Sequence, residues 1–417
     1  MSDVARPWAG RSHAQLAELA RELLLCGHLI DRSGMPHLIS RFGREGMTEI
    51  AIAEWMGASP VYAKRMQRLL DFEGDTVETT FKGMQLDIGA PPEFLDFRYQ
   101  VIDDRHGTFH LDHCGALMDV EPMGDEFVHA MCHTIEDPTF DATATAANPR
   151  AQVRPVHRPP RVPADRHPHC AWTVTIEPDA VALPVPEQAR AMARSNAAEL
   201  PLAVADPDLP TDDGWDRYAA ALDPDLVMER FSSATLGRIC DEVALQGQLL
   251  ARSYLVEVAD RLPPEQVIEV GAAQAAGVAG VTTKRLAAAL DLAPDLDGLA
   301  EVLRVHPLLL PRGYVDLHLA REGDALVVAV RPSPGTAELD GLSWPAILAG
   351  PGGDEVLHAT VVTLVRTASV ERTDAAAGEL ARWRIVEDPS AEPAPIPATV
   401  TLTEFSTGAA FRFQRRG

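Results

Sequence analysis

Residues 97–114 read FRYQVIDDRHGTFHLDHC, and the change of period within them decides the fold class. Phe97, Tyr99 and Val101 alternate with Arg98 and Gln100, the period of two of a half-buried strand. Asp103-Asp104-Arg105-His106-Gly107 supplies turn residues, and Thr108–Cys114 returns as a second strand, so the stretch is expected to be an antiparallel hairpin. Upstream the period is helical: Leu16, Leu19, Ala20, Leu23 and Leu24 recur on one face, as do Ile50, Ala53 and Glu54 through Met56. Residues 14–72 are therefore expected as helix, with a second helix starting near Pro60, a favoured first-turn residue. Downstream, Asp125–Glu136 reads as a helix that ends near Asp137-Pro138. A loop with Pro149, Pro155, Pro159, Pro160, Pro163 and Pro168 follows, then a strand over Ala171–Ile176. Residues 178–225, rich in Pro, Ala and Asp, read as an acidic linker with a little helix.

Beyond that linker the chain repeats itself faintly and in the same order. Ala63-Lys64-Arg65-Met66 with Leu70-Asp71-Phe72 is echoed by Thr283-Lys284-Arg285-Leu286 with Leu290-Asp291-Leu292. The hairpin turn finds a counterpart in Arg321-Glu322-Gly323-Asp324, His129 in His358, and Trp172 in Trp383, with offsets between 211 and 229. The expected fold is α+β, a tandem duplication of a helical segment followed by an antiparallel sheet, related as a pseudo-dimer. The expected domains are a His/Cys-rich first copy over 1–177, the linker over 178–225, and a degenerate second copy over 226–417. The C-terminal Thr399–Phe413 alternates like a last strand, and Arg415-Arg416 reads as a solvated end.

Composition narrows the function classes. With 37 Lys and Arg against 61 Asp and Glu, the net charge is −24, which repels nucleic-acid phosphates and anionic membranes. No apolar run reaches the length of a membrane span, and the N-terminus lacks the apolar core of a signal peptide, so a soluble cytoplasmic protein is expected. Five cysteines, an odd number in a chain of this length, point to reduced thiols or metal ligands rather than a disulfide framework.

Eight of the fourteen histidines and three of the five cysteines fall between His106 and Cys170, where even scatter would place about two histidines. They form three neighbouring pairs: His113/Cys114, Cys132/His133 and His169/Cys170. Both residue types are soft or borderline ligands for zinc and iron. At regular helical spacing His129, Cys132, His133 and Glu136 share a face. On the strand, alternation sends His110, Asp112 and Cys114 one way, and Phe109, Leu111 and His113 the other. In the second copy Val361 and Val362 stand opposite Cys132 and His133, Arg331 opposite Cys114, and Val365 opposite Glu136. That joint loss suits ligands of one site. The expected set is Cys114, Cys132, His133 and Cys170 around Zn²⁺, with Fe²⁺ as the alternative. His113, His169, His110 and Glu136 are the candidate acids and bases for metal-activated water cleaving a C–N or C–S bond. Arg154, Arg158 and Arg161, on a proline-stiffened loop, are candidates for holding an anionic small-molecule substrate, or else pair with nearby acids. Two other readings stay open, a non-catalytic metal- or thiol-based binding or redox-sensing module and a non-haem iron oxygenase. For any lone His or Cys, the plainer reading is packing.

At Cys114, Cys132-His133 and Cys170 the first copy resembles the L-2-amino-thiazoline-4-carboxylic acid hydrolases and the related vinyl-reductase-like domains. The pieces are Phe109–Cys114, Val128–Asp137 and His169–Ile176, within residues 40–177 and, through the repeat, 226–390. The resemblance implies an α+β small-molecule-binding fold and, in the hydrolase branch, opening of a small cyclic substrate. The additional histidines and the tandem arrangement depart from that pattern.

Overall fold

The structure is a computed structural model that describes residues 6–414; Arg415-Arg416 lie outside the described residues. It is α+β, with long helices and two antiparallel four-stranded sheets. Helix α1 (His13–Leu69) starts at a capping box in which Ser12 and Gln15 satisfy each other's backbone N–H. Helical backbone runs through both Pro36 and Pro60 and breaks instead at Gly43, at φ 69° and ψ −177°. That conformation is open essentially to glycine alone, so the break is set by a missing Cβ and not by Pro60.

After α2 (Val77–Met84) come β1 (Leu95–Asp103) and β2 (His106–Cys114), the expected hairpin. Helices α3 (Gly115–Val120) and α4 (Asp125–His129) follow, then a wide π turn over Ala130–Ile135 that leads into α5 (Glu136–Ala144). The helix thus runs past Asp137-Pro138, where an end was expected. Strands β3 (Ala151–His157) and β4 (Cys170–Ile176) complete a sheet in the order β1-β2-β4-β3. The expected loop around Pro155 is thus partly a strand. Proline is tolerated there because β3 lies at the sheet edge, where a missing N–H costs no ladder bond.

Residues 178–225 hold α6 (Glu187–Met192) and α7 (Asn196–Glu199), and they are not a free tether. Met192, Ala197 and Tyr218 are buried, and the Tyr218 hydroxyl donates to Gln85 Oε1 at 2.9 Å. The second half then runs α8 (Ser233–Ala259), α9 (Pro264–Ala289), α10 (Leu296–Val305), β5 (Asp316–Glu322), β6 (Ala325–Arg331), α11 (Trp344–Ala349), α12 (Gly353–Leu364), β7 (Ala368–Thr373) and β8 (Ala381–Glu387). Its sheet order, β5-β6-β8-β7, matches the first. The expected last strand is instead α13 (Ala398–Thr403) and a short 3-10 turn, because buried Val400 packs against Gly280 of α9. Packing on a helix overrides the β propensity of Thr-Val-Thr.

The helices of the two halves pack through reciprocal contacts. Arg65 of α1 pairs with Glu242 of α8 at 2.7 and 2.9 Å, and Arg285 of α9 pairs with Glu22 of α1 at 2.7 and 2.8 Å. Arg65 and Arg285 are 220 positions apart, and so are Glu22 and Glu242. A Cβ at Gly57 would strike Ser253, and one at Gly277 would strike Ser33. Each Arg also donates to backbone carbonyls of the segment after a sheet, Arg65 to Ala198 and Leu200 and Arg285 to Gly408 and Phe411. The helix ends match as well. Asp71 and Asp291 adopt positive φ (55° and 51°), and the next residue in each case bonds back five positions, Phe72 to Gln67 and Leu292 to Ala287. One hydrophobic cluster runs from Trp8 and Leu16 to Trp383 and Val400, across both halves.

Removing one partner of a buried, bidentate ion pair strands the other charge and costs about 3–5 kcal/mol. Arg285→Met is therefore expected to lower stability by that order. Because the helical core is shared, calorimetry should record a single unfolding transition moved to lower temperature. Two separated transitions, one of them unchanged, would show that the halves do not depend on this contact.

Candidate functional site

A cavity of about 150 Å³ lies in the first half between α1, the α4–α5 helix and the inner face of the sheet. Helix α1 contributes Arg32, Trp55 and Tyr62, the sheet Phe97, Leu111 and Cys170, and the α4–α5 helix Phe127, Met131, Glu136 and Phe140. Met35, Met47 and Met84 fill out the wall with flexible, polarisable side chains.

Two local irregularities aim chemistry into this space. Along the hairpin, Phe97 pairs with Leu111 but Leu95 pairs with Cys114, so two steps on β1 oppose three on β2. The extra residue is a bulge, and it reverses side-chain parity. Strict alternation would group Cys114 with His110 and Asp112. Instead those two are about half exposed and paired with each other at 3.3 Å, while Cys114 is buried at the cavity wall. Its sulfur accepts the Leu117 N–H at 3.3 Å and caps α3.

The π turn does the same for the helix. The i→i+5 bonding over Ala130–Ile135 widens the turn, and Met131, Ile135, Glu136 and Phe140 all reach the wall. The single face expected for His129, Cys132, His133 and Glu136 is therefore split. Glu136 faces the cavity, and Cys132 is buried with Val128 against the sheet. His129 and His133 turn away and stack on each other at 3.8 Å. His133 Nε2 donates to the Pro159 carbonyl at 2.7 Å, so it does not join the three cysteines.

Cys114, Cys132 and Cys170 remain a group, each close enough to Glu136 to sense its charge. All five cysteines of the chain are free thiols. Burial first, then Glu136, pushes the Cys114 thiol up to about 12 and those of Cys132 and Cys170 well above the ordinary value. Thiols of that kind stay protonated at neutral pH and are poor nucleophiles. Burial also lifts the Glu136 carboxyl to about 8, against the opposing pull of Arg158. Among the described residues no three His, Cys, Asp or Glu side chains are grouped so as to hold a metal ion. With His133 bonded to the Pro159 carbonyl and no such group of three ligands among the described residues, the donor set as it stands does not fit Zn²⁺ or Fe²⁺, and no chemical step is routed through either.

The other expected residues lie off the cavity wall. His169 is buried, its N–H bonded to the Leu111 carbonyl at 2.8 Å, and burial together with Arg161 pushes its imidazole down to about 4. His113 sits 6.0 Å from the His169 ring and stacks on Phe411. Arg154 pairs with Asp141, Arg158 with Asp137 and Arg161 with Glu121. None of the three arginines lines the cavity.

The cation that does line it, Arg32, was missed in the sequence. It donates to Asp119 at 3.1 Å and Asp31 at 2.8 Å. Asp119 also accepts from Ser406 and Thr407, which straps the C-terminal segment beside the site. Asp87 was missed too. It accepts from Tyr62 at 2.8 Å and from the Gly89 N–H at 2.7 Å, and burial pushes its carboxyl up to about 6. The available signal was a charged Asp31-Arg32 inside the otherwise apolar stretch LLLCGHLIDRSGM over 23–35. In the second half a space of about 20 Å³ lies between helices and is lined by Trp344, Leu308 and Leu309 among others.

An acid whose folded pKa is raised binds its proton more tightly folded than unfolded. Stability must then fall as pH rises between the two values. For Glu136 the window runs from its ordinary 4.5 to about 8. Urea denaturation across that range should give a falling profile, and Glu136→Gln should flatten it and be the more stable protein at pH 8; an unaltered slope would mean that Glu136 is ionised in the fold. Comparison with protein-family models, with curated proteins and with solved structures finds no match to this chain.

Proposed function

We propose that the first half is a small-molecule-binding domain whose ligand occupies the cavity beside Glu136, and that the second half is a degenerate copy of it. One observation carries the reading: a space of about 150 Å³ in the first half against about 20 Å³ between helices in the second. Trp344 is among the side chains that line the smaller space. An unfilled cavity lined by aromatic and methionine side chains gives up contact energy, a loss that a ligand recovers.

The duplication rests on the shared sheet order and on the reciprocal pairs Arg65–Glu242 and Arg285–Glu22. In a two-fold contact, residue i meets j and j meets i, and these pairs follow that rule. The second half then serves as the partner that buries the apolar face of α1.

A metal-dependent hydrolase, using Zn²⁺ or Fe²⁺ on a small cyclic or carboxylated molecule, is the second reading. It is favoured by three thiols from β2, the π turn and β4 sharing one buried cluster, and by the resemblance drawn from the sequence. It requires Cys114, Cys132 and Cys170 to lose protons and close up around an ion, a change that metal binding can drive. Metal content after chelator-free purification separates the readings. One equivalent, lost in Cys132→Ser, supports the hydrolase, and none leaves the thiols as buried packing.

For the leading reading, indole and benzyl alcohol at millimolar concentration are expected to raise the melting temperature of the wild type. Ala130→Trp, placing a large ring at the cavity wall, should keep its far-UV circular dichroism and lose the response. If neither probe shifts the wild type, or if the variant responds equally, the ligand site is elsewhere.

A further inference from the structure

The cavity wall carries an uneven set of polar groups. Its acids are Asp31, Asp87 and Glu136, and its one full cation among the described residues is Arg32. The Arg32 guanidinium is committed. Nε and Nη1 donate to Asp119 and Asp31, and the sulfurs of Met35 and Met131 lie 2.8 and 3.4 Å from its terminal nitrogens. His28, also on the wall, is buried, which favours its neutral form, and its Nε2 is engaged with Asp119 at 3.2 Å. Asp87 already accepts two hydrogen bonds.

Glu136 is different. Its Oε2 is buried and has no hydrogen-bond partner, the one such side-chain atom among the described residues of the wall. An unpaired buried acceptor of this kind costs about 1–3 kcal/mol, which an incoming donor recovers. Phe127 and Phe140, on the same helix, flank it with aromatic surface that attracts a cation. An anionic ligand would instead meet three carboxyl groups and a guanidinium already paired with Asp31 and Asp119.

Resting on the small-molecule reading above, we infer that the ligand is a small aromatic amine, held by donation from its nitrogen to Glu136 Oε2, and not the anion expected beside the arginine-rich loop. The groups facing Glu136 fit this choice. Cys114, Cys132 and Cys170 are weak partners, and the one nearby cation, Arg158, is paired with Asp137 outside the cavity. The nitrogen therefore has Glu136 to itself, and an ammonium arriving there favours the ionised carboxylate, so the Glu136 proton leaves as the pair forms.

Three probes of similar size decide it: 2-phenylethylamine, 2-phenylethanol and 3-phenylpropanoate, titrated against the full chain by calorimetry and by Trp55-dependent fluorescence. The expected order is amine at least tenfold tighter than alcohol, with the carboxylate weakest. In Glu136→Gln the amine should fall to the level of the alcohol, whose own affinity stays within about twofold. The inference fails if the carboxylate binds best, or if the amine keeps its advantage in Glu136→Gln. Alcohol and amine binding equally to the wild type would sink the amine assignment while leaving the cavity reading standing. No binding by any of the three overturns both.

Discussion

Two buried, reciprocal arginine–glutamate pairs set the frame on which everything else in this molecule rests. Each joins a helix of one half to a helix of the other, and each guanidinium uses its remaining N–H groups on backbone carbonyls of a segment that follows a sheet. Desolvating two full charges is tolerable only when geometry is bidentate and every donor is occupied. Those conditions fix the register of α1 against α8 and α9 and tie down the segments around residues 198 and 408. The glycine–serine approaches at Gly57 and Gly277 then let the helix backbones close to the distance the ion pairs require.

With α1 held in that register, its inner side becomes the fixed wall of the cavity. The opposite wall is carried on the α4–α5 helix and the sheet, and both contain an inserted residue, the π turn over Ala130–Ile135 and the bulge before Cys114. Each insertion has a local cost in hydrogen-bond geometry. In return each rotates one polar side chain, Glu136 or Cys114, from where a regular element would put it to the cavity. The second half keeps the helix and sheet order, but Val361, Val362 and Val365 occupy the helix and its end, and its cavity is nearly closed. The half with fewer polar residues along this helix is also the half with the smaller space.

The electrostatics of the site follow from enclosure. A −24 charge on the chain does not make the cavity anionic, because burial raises Glu136 and the thiols and favours their neutral forms. Arg32 pairs with Asp31 and Asp119. The wall is thus an apolar chamber with one compensated ion cluster and one unsatisfied carboxyl that is neutral when alone and ionises beside a cation. The arginines of the proline-rich loop, each bonded to an acid outside the cavity, brace that loop to Glu121, Asp137 and Asp141.

By itself the sequence determined the period of each long element, and hence the α+β class, the hairpin over 97–114, and the parallel order of the two halves. It also marked the segment from His106 to Cys170 as the part of the chain that differs between halves in its polar residues. Periodicity is a local property, so these features survive without knowledge of contacts. Which side chains meet was decided only in three dimensions. One inserted residue in a strand or a helix turns the following side chains to another face, and neither Cys114 nor Glu136 announces such an insertion in its neighbours. Arg32 and Asp87 reach the cavity from segments far away in the chain, and Pro155 and Val400 take the structure their packing partners allow. Parity and pairing are set by tertiary contacts, and for that reason the cysteines are legible as a group in the sequence, while the partners of His133 and the loop arginines, Pro159, Asp141, Asp137 and Glu121, are not.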